Sequence, residues 1–278
     1  MKKIAVIPNH TKDSGLVTTK KLVCFLNKKA EVYMNKYYEN SGIDAIFGGE
    51  EIFEKVDACI VLGGDGTILR AAEPCARLHI PVMGINLGRI GFMTEIEVEE
   101  MEKAVDKLLT GDYRVEERMM MQIKVCKNDG KCSVYYAMND AVISKPDSRM
   151  VAVELYREEE KINAYMADGI IIASPTGSTG YSLSAGGPVA DPAMELFIAT
   201  PICAHLLSSR AAILPANKLV RVKISEAGNQ KAIVTVDGQI KENIACGEHI
   251  EIEKAKDKVM LIKMGTQSFY DILTDKLS

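Results

Sequence analysis

No stretch of about 18 or more apolar residues occurs in the chain, so no membrane-spanning helix is expected. The first apolar run, Ile4 to Ile7, is cut at Pro8 and is too short for a signal peptide. No G-x-x-x-x-G-K precedes a Ser or Thr, so a phosphate site here must be of another kind than a Walker A loop. No two of the seven cysteines, at 24, 59, 75, 126, 132, 203 and 246, stand in C-x-x-C spacing, which argues against structural zinc. They read as buried, reduced thiols of a reducing, cytoplasmic compartment. A net positive charge is also lacking: at −4, nothing argues for nucleic acid or an anionic membrane as the main partner. Internal repeats and low-complexity segments are absent.

What is present is a globular composition, 47% hydrophobic and 26% charged, over 278 residues, enough for one large domain or two ordinary ones. The chain is organised around Asp57 to Arg70. Ala58 to Leu62 is a short apolar run of strand formers. It breaks into Gly63-Gly64-Asp65-Gly66, and helix formers follow from Ile68. Glycines without Cβ let a phosphate approach the backbone, and the helix start offers free N–H groups. A carboxylate there, Asp65, suits a proton acceptor or a ligand for the magnesium carried by ATP. Helix capping by Asp65 or Thr67 is the other use of these residues.

Alternating elements surround this stretch: strands at Ile4–Ile7, Glu31–Met34 and Ile80–Ile85, helices at Leu16–Lys29 and Val98–Leu109, the latter capped by Gly111. Asn40 to Glu50 reads as loop. The pattern predicts a parallel sheet with helical crossovers. The loop Asn9 to Lys12 follows the first strand, at the sheet end where ligands sit, and His10 or Lys12 could touch phosphate there. After Tyr113 the texture changes to short strands: Met120–Cys126 and Cys132–Ala137 around a hairpin turn, then Ala141–Ser144, Val151–Tyr156, Ile162–Tyr165 and Ile170–Ser174. Leu219–Ser225, Ala232–Val236, His249–Glu253 and Val259–Lys263 follow. Polar connectors, among them Glu226 to Asn229, separate them, which predicts a β-sandwich. The expected division is an α/β domain over 1–112, an all-β sandwich over 113–264, and a helical tail over 265–278 packing on the first domain.

One stretch of the β half departs from sandwich texture. From Asp168 to Pro188 a buried strand runs into a loop dense in hydroxyls and glycines, suited to ribose and phosphate. Tyr181 could stack on a base. A run of turn chemistry that long inside a compact domain usually binds something.

Taken together, the chain resembles the NAD kinase family over nearly its whole length. Gly63 to Thr67 matches G-G-D-G-T, Gly84 to Phe92 is similar to G-I-N-x-G-x-L-G-F with Ile90 for Leu, and Asn139-Asp140 matches the paired Asn and acidic residue. Pro175 to Pro188 is the long signature, with Gly180 where Ala is usual. The first motif alone is shared with lipid kinases and phosphofructokinases. A polybasic or basic amphipathic segment for a membrane is missing, and α/β alternation stops near residue 120.

The resemblance implies transfer of the γ-phosphoryl of ATP, or of polyphosphate in some members, to the 2′-hydroxyl of the adenosine ribose of NAD. It places Asp65 on the proton acceptor and puts Gly66 and Arg70 on substrate-contacting positions. Asn139, Asp140, Asp168, the run Thr179, Gly180, Tyr181, Ser182, Leu183 and Ser184, and Gln239 fall on dinucleotide contacts. It further implies Mg2+ brought with ATP, no dedicated metal cluster, and a homodimer or homotetramer whose neighbouring subunit can complete the site. For Arg70 a solvated helix face stays open, for Asp140 and Asp168 turn capping, and for Gln239 a turn. Met166, Ala167, Ala204 and Ala211 differ from common family residues and leave the choice between NAD and NADH open. A catalytically silent dinucleotide sensor is the alternative of another class.

Overall fold

The computed structural model describes residues 2–88, 91–205, 209–225, 231–265 and 267–277. The chain forms two compact units, Met1–Arg118 with Asp257–Ser278, and Met119–Lys256. The change of texture at 112/113 falls shortly before the first of these divisions.

In the first unit, β1 (Lys2–Pro8), β2 (Ala30–Asn35), β3 (Ile46–Gly48), β4 (Ala58–Gly63) and β5 (Val82–Asn86) pair in the order β5-β4-β1-β2-β3, every pair parallel. A short β6 (Ile96–Glu97) adds to β5. All six residues of β4 and all five of β5 are buried, as expected of strands covered on both faces. Helices α1 (Val17–Leu26), α2 (Asp65–Arg77) and α3 (Met101–Thr110) make the crossovers. Leu22, Val23 and Leu26 of α1 join Ile4, Val6, Ile60, Leu62, Val105 and Leu108 in one core. The buried Asp13 carboxylate accepts the N–H groups of Thr18 and Thr19 at 3.0 and 2.8 Å, satisfying donors of the first turn of α1. Gly111, at φ +82°, closes α3 in the left-handed region.

The end of the chain returns to this unit. Leu261 pairs in parallel with Val82 of β5. Glu95 and Lys263, both nearly inaccessible, form an ion pair at 3.0 Å, and Glu95 also accepts the N–H groups of Met264 and Gly265. Burial pushes the Glu95 carboxyl up, but the Lys263 charge and those N–H donors outweigh it and hold it below the usual range. Phe269 of the terminal helix Phe269–Leu277 packs 5.7 Å from Phe92.

The second unit is built of antiparallel pairs. One sheet runs β14-β13-β12-β9-β16-β17, comprising β9 (Asp140–Ser144), β12 (Gly169–Ala173), β13 (Leu196–Ile202), β14 (Ala212–Pro215), β16 (Lys231–Val236) and β17 (Gln239–Ala245). The other contains β10 (Val151–Arg157), β11 (Glu160–Ala167), β15 (Val220–Ile224) and β18 (His249–Lys263), with β7 (Arg114–Cys126) and β8 (Cys132–Ala137) paired at its side. Val153, Leu155, Val222 and Ile250 of one sheet share a core with Ile143, Ile170, Ile172, Phe197 and Val234 of the other. That is the expected sandwich. The outer face of β9, β12 and β13 is also covered, since Val142, Ile171, Ala173 and Ile198 pack with Ala190.

Several details differ from the sequence reading. His249–Lys263 is one strand, not two; the charged stretch in its middle stays extended, with Ala255 buried between exposed Lys254 and Lys256. Strand β3 lies inside the segment read as loop, an edge piece too short to show a period. Strands β13, β14 and β17 carry no turn-bounded alternation; β13 is buried on both faces. The expectation of seven buried reduced thiols fails. Cys24 and Cys203 are exposed, and Cys126 and Cys132, directly opposed across β7 and β8 with Cα atoms 4.3 Å apart, form a disulfide. The connector Glu226 to Asn229 lies outside the described residues.

Candidate active site

The glycine turn of the first unit sits where β4 leaves the sheet. A Cβ on Gly63 would collide with the Thr67 hydroxyl and stand 3.0 Å from Asn9 Cβ, so this glycine is required by packing. The Asn9 amide donates to that hydroxyl at 3.0 Å, which ties the end of β1 to the first turn of α2. A Cβ on Gly64 would lie 3.0 Å from the Lys12 ammonium. Gly66 is different. It is exposed, its φ is not in the left-handed region, and a Cβ there would meet nothing within 4 Å. The chain itself gives no steric reason for that glycine, whereas a ligand approaching the backbone would.

Asp65 is the first residue of α2, and its half-buried carboxylate is tied to the second glycine segment. Phe92 N–H donates to Oδ2 at 2.8 Å; Met93 N–H, Thr94 N–H and Thr94 Oγ1 donate to Oδ1, each at 3.1 Å. A Cβ at Gly91 would fall on this carboxylate, so the missing side chain there makes the contact possible. Arg89 and Ile90 of the same segment lie outside the described residues. With about two lone pairs per oxygen, Oδ1 is fully used and Oδ2 keeps room for one more donor. Arg70, exposed on α2 past Gly66, acts on the Tyr38 phenol: burial raises that phenol and the guanidinium opposes the rise.

The second unit gathers another set. Asn139 and Asp140 stand at the start of β9. Asp140 is 6% exposed, and no group among the described residues donates to its carboxylate. Asn139 Oδ1 is buried and likewise without a partner. Burial, and then the charge of Asp237, push the Asp140 carboxyl up to about 7. Both side chains face Gly180: a Cβ there would lie 3.8 Å from Asn139 Nδ2 and 4.0 Å from Asp140 Oδ2. Gly177 packs on the Asn139 peptide so closely that any Cβ would overlap its carbonyl oxygen.

The hydroxyl loop forms two short helical turns, Thr176–Thr179 and Tyr181–Ser184. Several of its hydroxyls are committed to structure. Ser174 Oγ donates to Met138 O at 2.5 Å, Ser178 Oγ accepts from Ala190 N–H, and Ser182 Oγ pairs with Thr200 Oγ1 at 2.9 Å. Thr179 is half-buried, its hydroxyl reaching Thr176 O at 3.4 Å, and Leu183 is half-buried; Tyr181, 48% exposed, and Ser184 face solvent. Gln239 is exposed at the head of β17 and accepts from Lys241 Nζ at 2.9 Å. Asp168 is not part of this gathering. It precedes the other end of β12, five residues from Ala173; an extended strand makes that roughly 16 Å. There its carboxylate pairs with Lys145 Nζ at 2.7 Å.

Among the described residues one group of potential metal ligands is close enough to hold an ion, Cys126, His249 and Glu251. Its chemistry does not suit magnesium: Cys126 is bonded to Cys132, and Glu251 is held by Arg221 at 3.2 Å.

Comparison with known proteins agrees with both motif-bearing regions. The ATP-NAD kinase N-terminal domain matches residues 4–113 and the ATP-NAD kinase C-terminal domain residues 138–264. The NAD kinase of Caldanaerobacter subterraneus subsp. tengcongensis is 42% identical over 286 residues, covering 100% of this chain and 99% of that protein. The chain belongs to the NAD kinase family. Among solved structures, an NAD kinase from Archaeoglobus fulgidus in complex with ATP superimposes with a TM-score of 0.76 at 26% identity, covering 99% of this chain and 98% of that one. Yeast NADH kinase complexed with NADH shares the fold, with a TM-score of 0.93 at 24% identity over 100% of this chain and 87% of that one.

Two features of this family member escaped the sequence reading. The donors that hold Asp65 come from Phe92, Met93 and Thr94, and only the glycine at 91 hinted at a close approach. Asp237, in the turn just before Gln239, accepts the N–H groups of Met138, Asn139 and Asp140 on its carboxylate.

Proposed function

We propose that the protein is an NAD kinase that moves the γ-phosphoryl group of ATP to the 2′-hydroxyl of the adenosine ribose of NAD. The observation that carries this reading is the adjacent pair of acceptors without donors, the buried Asn139 Oδ1 and the carboxylate of the buried residue Asp140, whose side chains lie beside Gly180. Acceptors buried without donors cost free energy unless a ligand supplies O–H or N–H groups, as ribose hydroxyls and an adenine amine do. Family membership and the ATP-bound relative support the donor nucleotide.

In this reading Asp65 is the proton acceptor. Its Oδ2 takes the ribose proton, the sugar oxygen bonds to the γ-phosphorus, and the bond to the β,γ-bridging oxygen breaks to release ADP. The donors from Phe92 to Thr94 hold the carboxylate in place, so no reorganisation is needed at that moment. Gly66 admits substrate to the backbone, and Arg70 and Lys12 meet phosphate charge. Mg2+ bound to ATP would offset the charge of its phosphates. Thr179, Gly180, Tyr181, Leu183, Ser184 and Gln239 line the dinucleotide, while Ser182, fully buried and paired with Thr200, holds the loop behind them. The enzyme works in the cytoplasm as a homodimer or homotetramer. Because Asp168 lies at the far end of β12 from Asn139–Asp140, a neighbouring subunit supplies Asp168 to complete the site.

The test is turnover by the purified protein with ATP and magnesium, scanning NAD and NADH as acceptors and polyphosphate as an alternative donor. Formation of NADP, with the new phosphate assigned to the 2′ position by phosphorus NMR, is the expected result. Tight NAD binding without product under every donor would favour a silent sensor and overturn the proposal.

A further inference from the structure

The turn between β16 and β17 does more than connect them. Asp237 sits there at φ +45°, followed by Gly238 at +75°, and its half-buried side chain points back to the start of β9. Its Oδ2 accepts Met138 N–H at 2.8 Å, while Oδ1 accepts Asn139 N–H at 2.8 Å and Asp140 N–H at 3.1 Å. The Asp237 N–H donates in return to Asp140 O at 3.0 Å. Three consecutive peptide groups are thus fixed by one carboxylate. They are the peptides whose side chains, Asn139 and Asp140, present the donorless acceptors.

We infer that Asp237 is a positioning residue for the dinucleotide, its carboxylate clamping the 138–140 peptides so that Asn139 and Asp140 are held ready for ribose and amine donors. This rests on the reading of that pair as a dinucleotide contact. A carboxylate is suited to the clamp because it only accepts, whereas an amide would turn one donor against the N–H groups. It has a second consequence. Asp237 is also a like charge beside Asp140, and burial together with that charge raises the Asp140 carboxyl. The charged groups acting on the pair are the two carboxylates themselves and, from β17, Lys241, which opposes the rise at Asp237. β16 contributes Thr235 and Val236, β12 and its exit Ala173 and Ser174, and the facing turn Thr176 to Gly180; none of these titrates between pH 4 and about 10.

The inference is tested with full-length Asp237→Asn, Asp237→Glu and Asp140→Asn, measuring kcat and KM for NAD from pH 5.5 to 9 alongside thermal melting. For D237N the expected result is a KM for NAD raised about 10-fold with kcat within about 3-fold of wild type. The acid limb of kcat/KM should move down by about one pH unit, because Asp140 has lost its charged neighbour. A purely structural residue would lower the melting temperature and leave that limb in place, which would overturn the inference. D237E keeps the charge on a longer arm and should raise KM without moving the limb. Should D237N fail to accumulate folded, D237E decides: an unchanged KM overturns the proposal. D140N separates the two levels of the argument. If D140N leaves KM for NAD unchanged, the reading of the pair as a dinucleotide contact falls, and the inference with it. If D140N raises KM while D237N and D237E do not, only the role of Asp237 falls.

Discussion

Asp65 and Asp140 are carboxylates of the two units, and the chain treats them in opposite ways. Asp65 is half-buried, opens a helix and accepts four hydrogen bonds from Phe92, Met93 and Thr94. Asp140 is nearly inaccessible, receives none among the described residues, and lies beside another acid. One is finished by its own chain except for a single lone pair; the other is left incomplete. A group that must hold still while accepting a proton profits from fixed donors. A group that must select a ligand profits from having its donors missing, since the ligand then restores them. On the proposed function, the difference is that between a reacting carboxylate and a recognising one.

The largest expected effect tests the first half of that contrast. Asp65→Asn removes the basic oxygen, and kcat should fall by about 10³- to 10⁴-fold, in the range of a lost general base. The dissociation constant for NAD, measured by calorimetry, should change by no more than about 3-fold. Loss of binding in step with turnover would instead make Asp65 an anchor of the 91–94 segment.

A third carboxylate calibrates both. Glu95, its side chain 7% exposed, is by contrast fully partnered by Lys263, Met264 and Gly265. Removing one member of a buried pair leaves the other uncompensated, so Glu95→Gln should cost about 3–5 kcal/mol of stability in denaturant melts. Its KM for NAD should stay within about 2-fold of wild type. The sign with pH follows from its lowered carboxyl. The stabilisation is fully present above the ordinary carboxylate range and is lost as pH falls through the folded value. E95Q should therefore differ from wild type at pH 7 and converge with it in strong acid.

Asp140→Asn should weaken NAD binding by about 1.5–3 kcal/mol, read as KM, yet stabilise the free protein at high pH. The Asp140 carboxyl titrates near 7 in the fold, above its ordinary value. The folded state therefore binds the proton more tightly, and stability is lost as pH rises from the ordinary range through about 7. The asparagine variant escapes that loss: it should melt above wild type at pH 8.5 and match it at pH 4. For the wild type, NAD should bind more tightly as pH rises through about 7, since the ionised acid accepts the ribose donors.

These contrasts were only partly legible in the sequence. The turn from Gly63 to Gly66 was, because strand, glycines and helix are adjacent and each carries a local signal. So was the hydroxyl loop from Ser174, whose density of turn residues marks it without any fold. The partners of Asp65 were not: they stand 27 to 29 residues away, and three of the four donors are peptide N–H groups that no side chain announces. Nor was the separation of Asp168 from Asp140. Both precede or begin apolar strands and look equivalent until β9 and β12 pair antiparallel, Gly169 with Ser144 and Ala173 with Asp140. The full length of β18 was hidden because Lys254 to Lys258 has the composition of a connector while its backbone stays extended.

The smallest expected effect concerns Lys12, the cation beside the turn that carries Asp65. Its ammonium lies against Gly64, with no salt-bridge partner among the described residues. An exposed ammonium is well hydrated, so a phosphate it meets gains only a fraction of the Coulomb attraction. Lys12→Ala should raise KM for ATP by about 2- to 5-fold, equivalent to about 0.5–1 kcal/mol, and leave KM for NAD alone. Because the interaction is exposed, the gap between variant and wild type should shrink when salt is raised from 0.05 to about 0.5 M. A gap that persists in high salt would mean that Lys12 is desolvated by the nucleotide and does more than screen charge. The first unit would then, like the second, hold a group whose strength appears only when substrate arrives.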